Sequence, residues 1–275
     1  MRKLICLIGL AALFASFAQH PVRWVAIGDS ITYLNDHTDE TGGRLNKGYL
    51  TRVTEQLPYV HYVNQGHNGW TSGNIARAIE KLGIPAADVY TVFLGTNDWW
   101  HGDRIGSWSD YQHGTGDTTV YGSFRIILDK LRSLNKDAVV VLITPMPRTD
   151  FVYINDAHNN AYGSYKDKAG QSLAQVVEAI RIIGRNEHLT VVDLYHNKQF
   201  AIPHLVRFKR LKDPQTGQYR NYTYPDYTQV PFDPADAYPY PREAMDMTFD
   251  GLHPGDRGDS VIAGALVKVF GRLLR

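Results

Sequence analysis

The chain has 275 residues, 43% of them hydrophobic, enough to bury one large core or two small ones. Lys and Arg number 29 against 28 Asp and Glu, a formal net charge of +1 with no basic stripe, which excludes nucleic acid as a partner. Cys6 is the only cysteine, which excludes a disulfide framework and a cysteine-ligated metal.

Met1 to Gln19 open with Arg2 and Lys3, continue through an apolar run and reach small residues at Ser16 and Ala18. This is the layout of a secretory signal peptide, 1–18, cut after Ala18, and it predicts a secreted or periplasmic protein. The run falls short of the roughly 20 residues that span a bilayer, so no stable membrane anchor is expected after cleavage. The mature chain, 19–275, then has no thiol.

Val22 to Thr32, VRWVAIGDSIT, reads as a strand that stops at Gly28-Asp29-Ser30. Such a strand delivers a hydroxyl to the carboxyl edge of a sheet, where α/β enzymes keep their chemistry. Ser and Thr are also preferred helix caps, so taken alone this stretch leaves Ser30 either a cap or a nucleophile. Asn35 to Lys47 reads as an exposed loop and Gly48 to Leu57 as a helix. Asp36, His37, Asp39 and Glu40 crowd that loop without a histidine pair, the pattern of a solvated face and not of a metal site.

Tyr59 to Asn64 is a second strand, running into a turn with Gly66 and Gly69 and then a helix over Gly73 to Leu82. Two glycines there require positive φ or close approach by another group. Asp88 to Leu94 is apolar almost throughout, as expected of a central strand, and ends in Gly95-Thr96-Asn97-Asp98. A loop from Trp99 to Thr118 precedes a helix over Val120 to Leu134. Ala138 to Thr144 forms a fourth strand, closed by Pro145-Met146-Pro147 and followed by a polar stretch, Arg148 to Lys168. Leu173, Val176, Val177, Ile180 and Ile183 mark a further helix, and Leu189 to Tyr195 a fifth strand. Ser172 follows no strand and reads as an N-terminal helix residue, although Gly170-Gln171-Ser172 loosely imitates a nucleophile elbow.

Strand and helix alternate through the first two hundred residues, which predicts a single α/β domain with a parallel sheet, right-handed crossovers and helices on both faces. Lys198 to Met247 breaks the rhythm with closely spaced prolines and tyrosines. This insertion either covers a site or packs on the domain as a satellite. Asp250-Gly251-Leu252-His253-Pro254 leads to a final helix over Ser260 to Leu274, with Gly258 to Ser260 read as its cap.

Four turns thus end in reactive or ligand-binding groups: Ser30, Gly69, Asn97, and the Asp250 and His253 pair. With Gly28-Asp29-Ser30-Ile31-Thr32, Asn64 to Gly69 with Thr71, Gly95-Thr96-Asn97-Asp98 and Asp250 to His253 in that order, the sequence resembles the SGNH/GDSL hydrolases. The resemblance implies a flavodoxin-like three-layer α/β/α domain with a central five-stranded parallel sheet, and a serine esterase that needs no cofactor or metal. It implies Ser30 as nucleophile, His253 as its base and Asp250 as the group orienting the imidazole, chemistry for which a serine needs a nearby base. It also implies an oxyanion hole made by the Ser30 and Gly69 N–H groups and the Asn97 amide.

Asp193 and His196 share the Asp-x-x-His spacing, but no closing helix follows them as one follows His253. Trp70 stands where the family often has aspartate, and Trp99, Trp100 and His101 extend the third block. Candidate substrate contacts are Asp29, His67, Trp70, Trp99 and Trp100; the indoles either stack on sugar rings or wall the pocket, with Trp108 and Tyr111 adding aromatic surface. For His67 a satisfied loop role is the alternative. The expected partner is a small-molecule or polysaccharide ester, and the expected reaction is removal of O-acetyl groups from a carbohydrate. The alternatives are a lipid acyl hydrolase of lysophospholipase or thioesterase type, which requires a long apolar channel, and a carbohydrate-binding protein that has lost the chemistry.

Overall fold

A computed structural model describes residues 20–274, so the signal peptide expected over 1–18 lies outside the described residues. The first strand, β1 (Val22–Gly28), passes directly into a one-turn helix, α1 (Ser30–Tyr33). Helix α2 (Tyr49–Gln56), strand β2 (Val60–Gly66), helix α3 (Ser72–Ala78) and strand β3 (Val89–Phe93) follow as alternating elements. Next come three helices, α4 (Thr96–His101), α5 (Trp108–His113) and α6 (Val120–Leu134), and the strand β4 (Val139–Ile143). A hairpin of β5 (Phe151–Tyr153) and β6 (Asp156–Ala161) precedes α7 (Leu173–Asn186) and β7 (Thr190–Val192). A second hairpin, β8 (Lys209–Lys212) and β9 (Tyr219–Tyr222), lies in the late insertion, and α8 (Asp256–Leu273) closes the chain.

The central sheet has the order β2-β1-β3-β4-β7, every neighbouring pair parallel. This is the doubly wound order of a flavodoxin-like domain, with a crevice at the carboxyl edge where the winding reverses beside β1. Side chains alternate across each strand and so supply two cores. Val25, Ile27, Tyr90, Val92 and Leu142 pack against α3, α6 and α7 through Ile75, Phe124, Ile127 and Ile180. Trp24, Ala26, Val89, Phe93 and Val141 pack on the other face against α2 and α8 through Tyr49, Val53, Ile262, Leu266 and Phe270. Each helix presents an apolar stripe at helical spacing, and burying both sheet faces is the main stabilising term.

Several expectations need correcting. The loop over Trp99 to Thr118 holds α5 and the end of α4, each closed by a left-handed glycine, Gly102 or Gly114. The polar stretch after Arg148 contains the β5–β6 hairpin, whose weak alternation hid it from pattern reading. The final helix starts at Asp256 with Gly255 as cap, so Gly258 to Ser260 lie inside it. Gly258 is selected by packing instead: a Cβ there would come within 2.2 Å of the Met247 carbonyl oxygen. Ser172 does cap α7, through a reciprocal capping box with Gln175.

Candidate active site

The turn after β1 is built to hold Ser30. A Cβ on Gly28 would meet Thr32 Oγ1 at 2.0 Å, so only glycine lets the strand turn this sharply into α1. The helix cap is Asp29, whose buried carboxylate accepts the Ile31 N–H at 3.0 Å, and Ser30 is left free of that task. Burial pushes the Asp29 carboxyl up to about 6.

The turn over 248–254 closes on itself through a bridge between Thr248 and Pro254. Gly251, at φ +92°, passes so close to the Asp150 carbonyl that a Cβ would sit 2.0 Å from it. Within this turn Asp250 accepts from the Leu252 N–H at 3.0 Å, the His253 N–H at 2.7 Å and His253 Nδ1 at 2.6 Å. A carboxylate only accepts, so Nδ1 carries the proton and a neutral imidazole presents a bare Nε2. That Nε2 lies 2.9 Å from Ser30 Oγ. The ring is held between Phe249, stacked with centroids 5.7 Å apart, and the edge of Phe151 at 5.5 Å.

Two more turns bring donors to the same edge. The Ser30 and Gly69 N–H groups have no acceptor among the described residues, and Gly69 sits at φ +73° with open space on its Cβ side. Asn97, in the first turn of α4, donates one Nδ2 hydrogen to the Trp70 carbonyl at 3.0 Å and keeps the other. Gly95, the α4 cap at φ +118°, packs where a Cβ would meet Pro145, Val176 and Ile180. Asp98 beside it reaches back to α3, accepting from the Ser72 N–H at 3.0 Å and from the Ser72 hydroxyl. Asp98 therefore ties the Gly69 turn to the Asn97 turn, and its own burial pushes its carboxyl up to about 6.

Ser30, Gly69, Asn97, Asp250 and His253 all line one cleft of about 410 Å³. Trp100 lines it too, but the other expected substrate contacts do not. Trp99 is fully buried in the core, its Nε1 donating to the Gln171 carbonyl at 3.1 Å, so it cannot meet a sugar. Asp29 is occupied in capping. His67 and Trp70 stack on each other at 4.3 Å outside the cleft lining, and Tyr111 is buried against Trp108. Asp193 and His196 pair at 2.9 Å with Arg181 alongside, away from this cleft. Asp36 and Glu40 are engaged by Asn64, Tyr62 and Tyr33, and no described cluster of three or more His, Cys, Asp or Glu is placed to hold a metal.

The cleft wall that sequence reading missed is the β5–β6 hairpin with its approach: Arg148, Phe151, Tyr153, Ile154 and Asn159. The available signal was position, since Arg148 follows β4 at the carboxyl edge just as Ser30 follows β1. The insertion over 198–247 does not line the cleft. It packs behind the hairpin as a satellite, through Val206, Leu211, Tyr227 and Tyr240 against Val152.

The model of the GDSL-like lipase/acylhydrolase family matches residues 26–261. A solved structure from Chitinophaga pinensis, described as a possible lipase, is 59% identical, covering 92% of this chain and 98% of its own, with a TM-score of 0.91. A Lactobacillus plantarum protein matches at 20% identity over 92% and 98% of the two chains, TM-score 0.62. An acetyl xylan esterase matches at 18% identity over 90% and 99%, TM-score 0.53. The last two are likenesses of fold. No curated protein matches the chain.

Proposed function

The chain belongs to the GDSL-like lipase/acylhydrolase family, and from that premise we propose an exported serine esterase that removes short acyl groups, acetyl foremost, from a carbohydrate. The observation that carries the proposal is the unbroken hydrogen-bonded line from Asp250 through His253 to Ser30 at the cleft.

In this mechanism His253 Nε2 takes the Ser30 proton as Oγ attacks the ester carbonyl. The Asp250 carboxylate stabilises the imidazolium that forms and does not itself take the proton. The oxyanion is met by the Ser30 N–H, the Gly69 N–H and the free hydrogen of Asn97 Nδ2, donors on residues that line the cleft and fixed in place before the reaction, so that little reorganisation is required. His253 returns its proton to the departing alcohol, and a water activated by the same imidazole then hydrolyses the acyl-serine.

The cleft has the size of a small-molecule site and mixes Asn68, His101, Asn159 and Trp100 with apolar groups, which suits a small acyl group on a polar carrier. Leu34, Phe151, Ile154, Phe249 and Leu252 supply the apolar share and favour the second reading, a lipid acyl hydrolase. A series of p-nitrophenyl esters from acetate to palmitate separates the two, together with acetate release from acetylated xylan, pectin and mannan. We expect kcat/KM to peak at acetate or butyrate and to fall at least tenfold by octanoate. A maximum at octanoate or longer overturns the carbohydrate reading, and glycan affinity with no ester turnover makes the protein a binding module.

A further inference from the structure

Arg148 lines the cleft with Ser30 and His253, yet its side chain has no acceptor among the described residues. It is only 2% exposed, and its backbone is clamped by Ser164, whose Oγ accepts the Arg148 N–H at 3.0 Å and whose N–H donates to the Arg148 carbonyl at 2.9 Å. The guanidinium lies against the indoles of Trp99 and Trp100, 5.6 and 5.4 Å from their centres. Nε and Nη2 are buried without partners, which leaves Nη1 open to the cavity.

The nearby carboxylates are committed elsewhere: Asp250 to His253 and Leu252, Asp150 to Lys209 at 2.7 Å, Gly163 and Tyr165. Burial pushes the guanidinium down to about 10, so it is still a cation at neutral pH. Lys168 places Nζ 4.3 Å from the Trp100 ring and Lys166 places its own 5.3 Å from Tyr162, and neither forms an ion pair among the described residues. Arg148, Lys166 and Lys168 thus gather around the Trp100 and Tyr162 corner, with Arg148 the one of the three that lines the cleft. A buried, under-used guanidinium is costly unless something completes its hydrogen bonds. The one open donor, Nη1, carries part of the guanidinium charge and so suits a carboxylate, whose hydrogen bond to it is charge-assisted on both sides, better than a hydroxyl.

We propose that this corner is a subsite for a carboxylate carried by the substrate, with Arg148 as its ligand, so that the preferred esters are acylated acidic sugars. The inference rests on the esterase reading of the Ser30 site and names the substrate class that site selects.

The test compares O-acetylated methyl uronides bearing a free carboxylate with the same compounds as neutral carboxymethyl esters, alongside p-nitrophenyl acetate. The native enzyme is expected to favour the carboxylate at least tenfold in kcat/KM, and Arg148→Gln to bring that ratio close to one. Arg148→Lys, which keeps the charge but loses the planar group that lies against the two indoles, should fall between. A ratio near one in the native enzyme overturns the subsite whether or not any variant folds. So does a preference that survives in Arg148→Gln, or turnover of p-nitrophenyl acetate with no turnover of either uronide. Loss of all ester turnover in the native enzyme instead removes the esterase reading beneath it.

Discussion

His253 Nε2 stands 2.9 Å from Ser30 Oγ although 223 residues separate the two in the chain. Among the described residues the hydroxyl has no other side-chain partner, so its reactivity depends on this contact. Ser30→Ala is expected to lower kcat on p-nitrophenyl acetate by at least about a thousandfold, and His253→Ala by a similar factor, since groups that act as a unit fail together. Thermal melts should show both variants folded. Undiminished turnover by Ser30→Ala overturns the nucleophile assignment.

Asn97 lines the cleft and gives one Nδ2 hydrogen to the Trp70 carbonyl, while the other has no acceptor among the described residues. Asn97→Ala should therefore reduce kcat by about a hundredfold or more while KM changes little, because the lost bond forms only as charge develops on the carbonyl oxygen. An unchanged kcat, measured at saturating p-nitrophenyl acetate, removes Asn97 from the oxyanion hole.

Asp98 carries a pH signature. Its native carboxyl is raised by burial to about 6 from 3.8, so between these values the native state holds a proton that the unfolded state has lost. Stability must then fall as pH rises from about 4 to about 6, by up to about 3 kcal/mol for a two-unit shift. Asp29, raised to about 6 by burial, acts with the same sign. Asp98→Asn cannot ionise, and its melting temperature should decline less steeply across this window. Equal slopes in native protein and variant, followed by calorimetry, refute the assignment.

Gly66 and Gly69 lie three residues apart, and replacing them should differ in its effect on turnover. A Cβ on Gly66 would come within 2.2 Å of the Tyr33 N and 2.7 Å of its Cα, the backbone of the turn that carries Ser30. Gly66→Ala is expected to destabilise by about 1–3 kcal/mol or more and to lower kcat by displacing that turn. Around Gly69 a Cβ meets nothing within 4 Å, so Gly69→Ala costs only the strain of a left-handed residue, about 1–2 kcal/mol, and retains the N–H. Its kcat should stay within tenfold of native. Circular dichroism melts and steady-state kinetics on both variants check the contrast.

The amino-acid sequence by itself determined the layered fold and the turns that hold Ser30, Gly69, Asn97, Asp250 and His253. These features are local: apolar runs set the strands, and a glycine beside a reactive side chain marks where a strand must turn. The family order of the four turns then tied them to one sheet edge. Only the tertiary structure decided which surface faces the substrate. Trp99 and Trp100 are adjacent, yet α4 turns the first into the core and the second toward the cleft. The tyrosine-rich insertion packs behind the site, while the unremarked hairpin over 151–161 walls it. Arg148 is left unpaired because Asp250 is taken by His253 within its own turn and Asp150 by Lys209, which is distant in sequence. Burial and pairing depend on contacts between distant segments, and no local pattern records them.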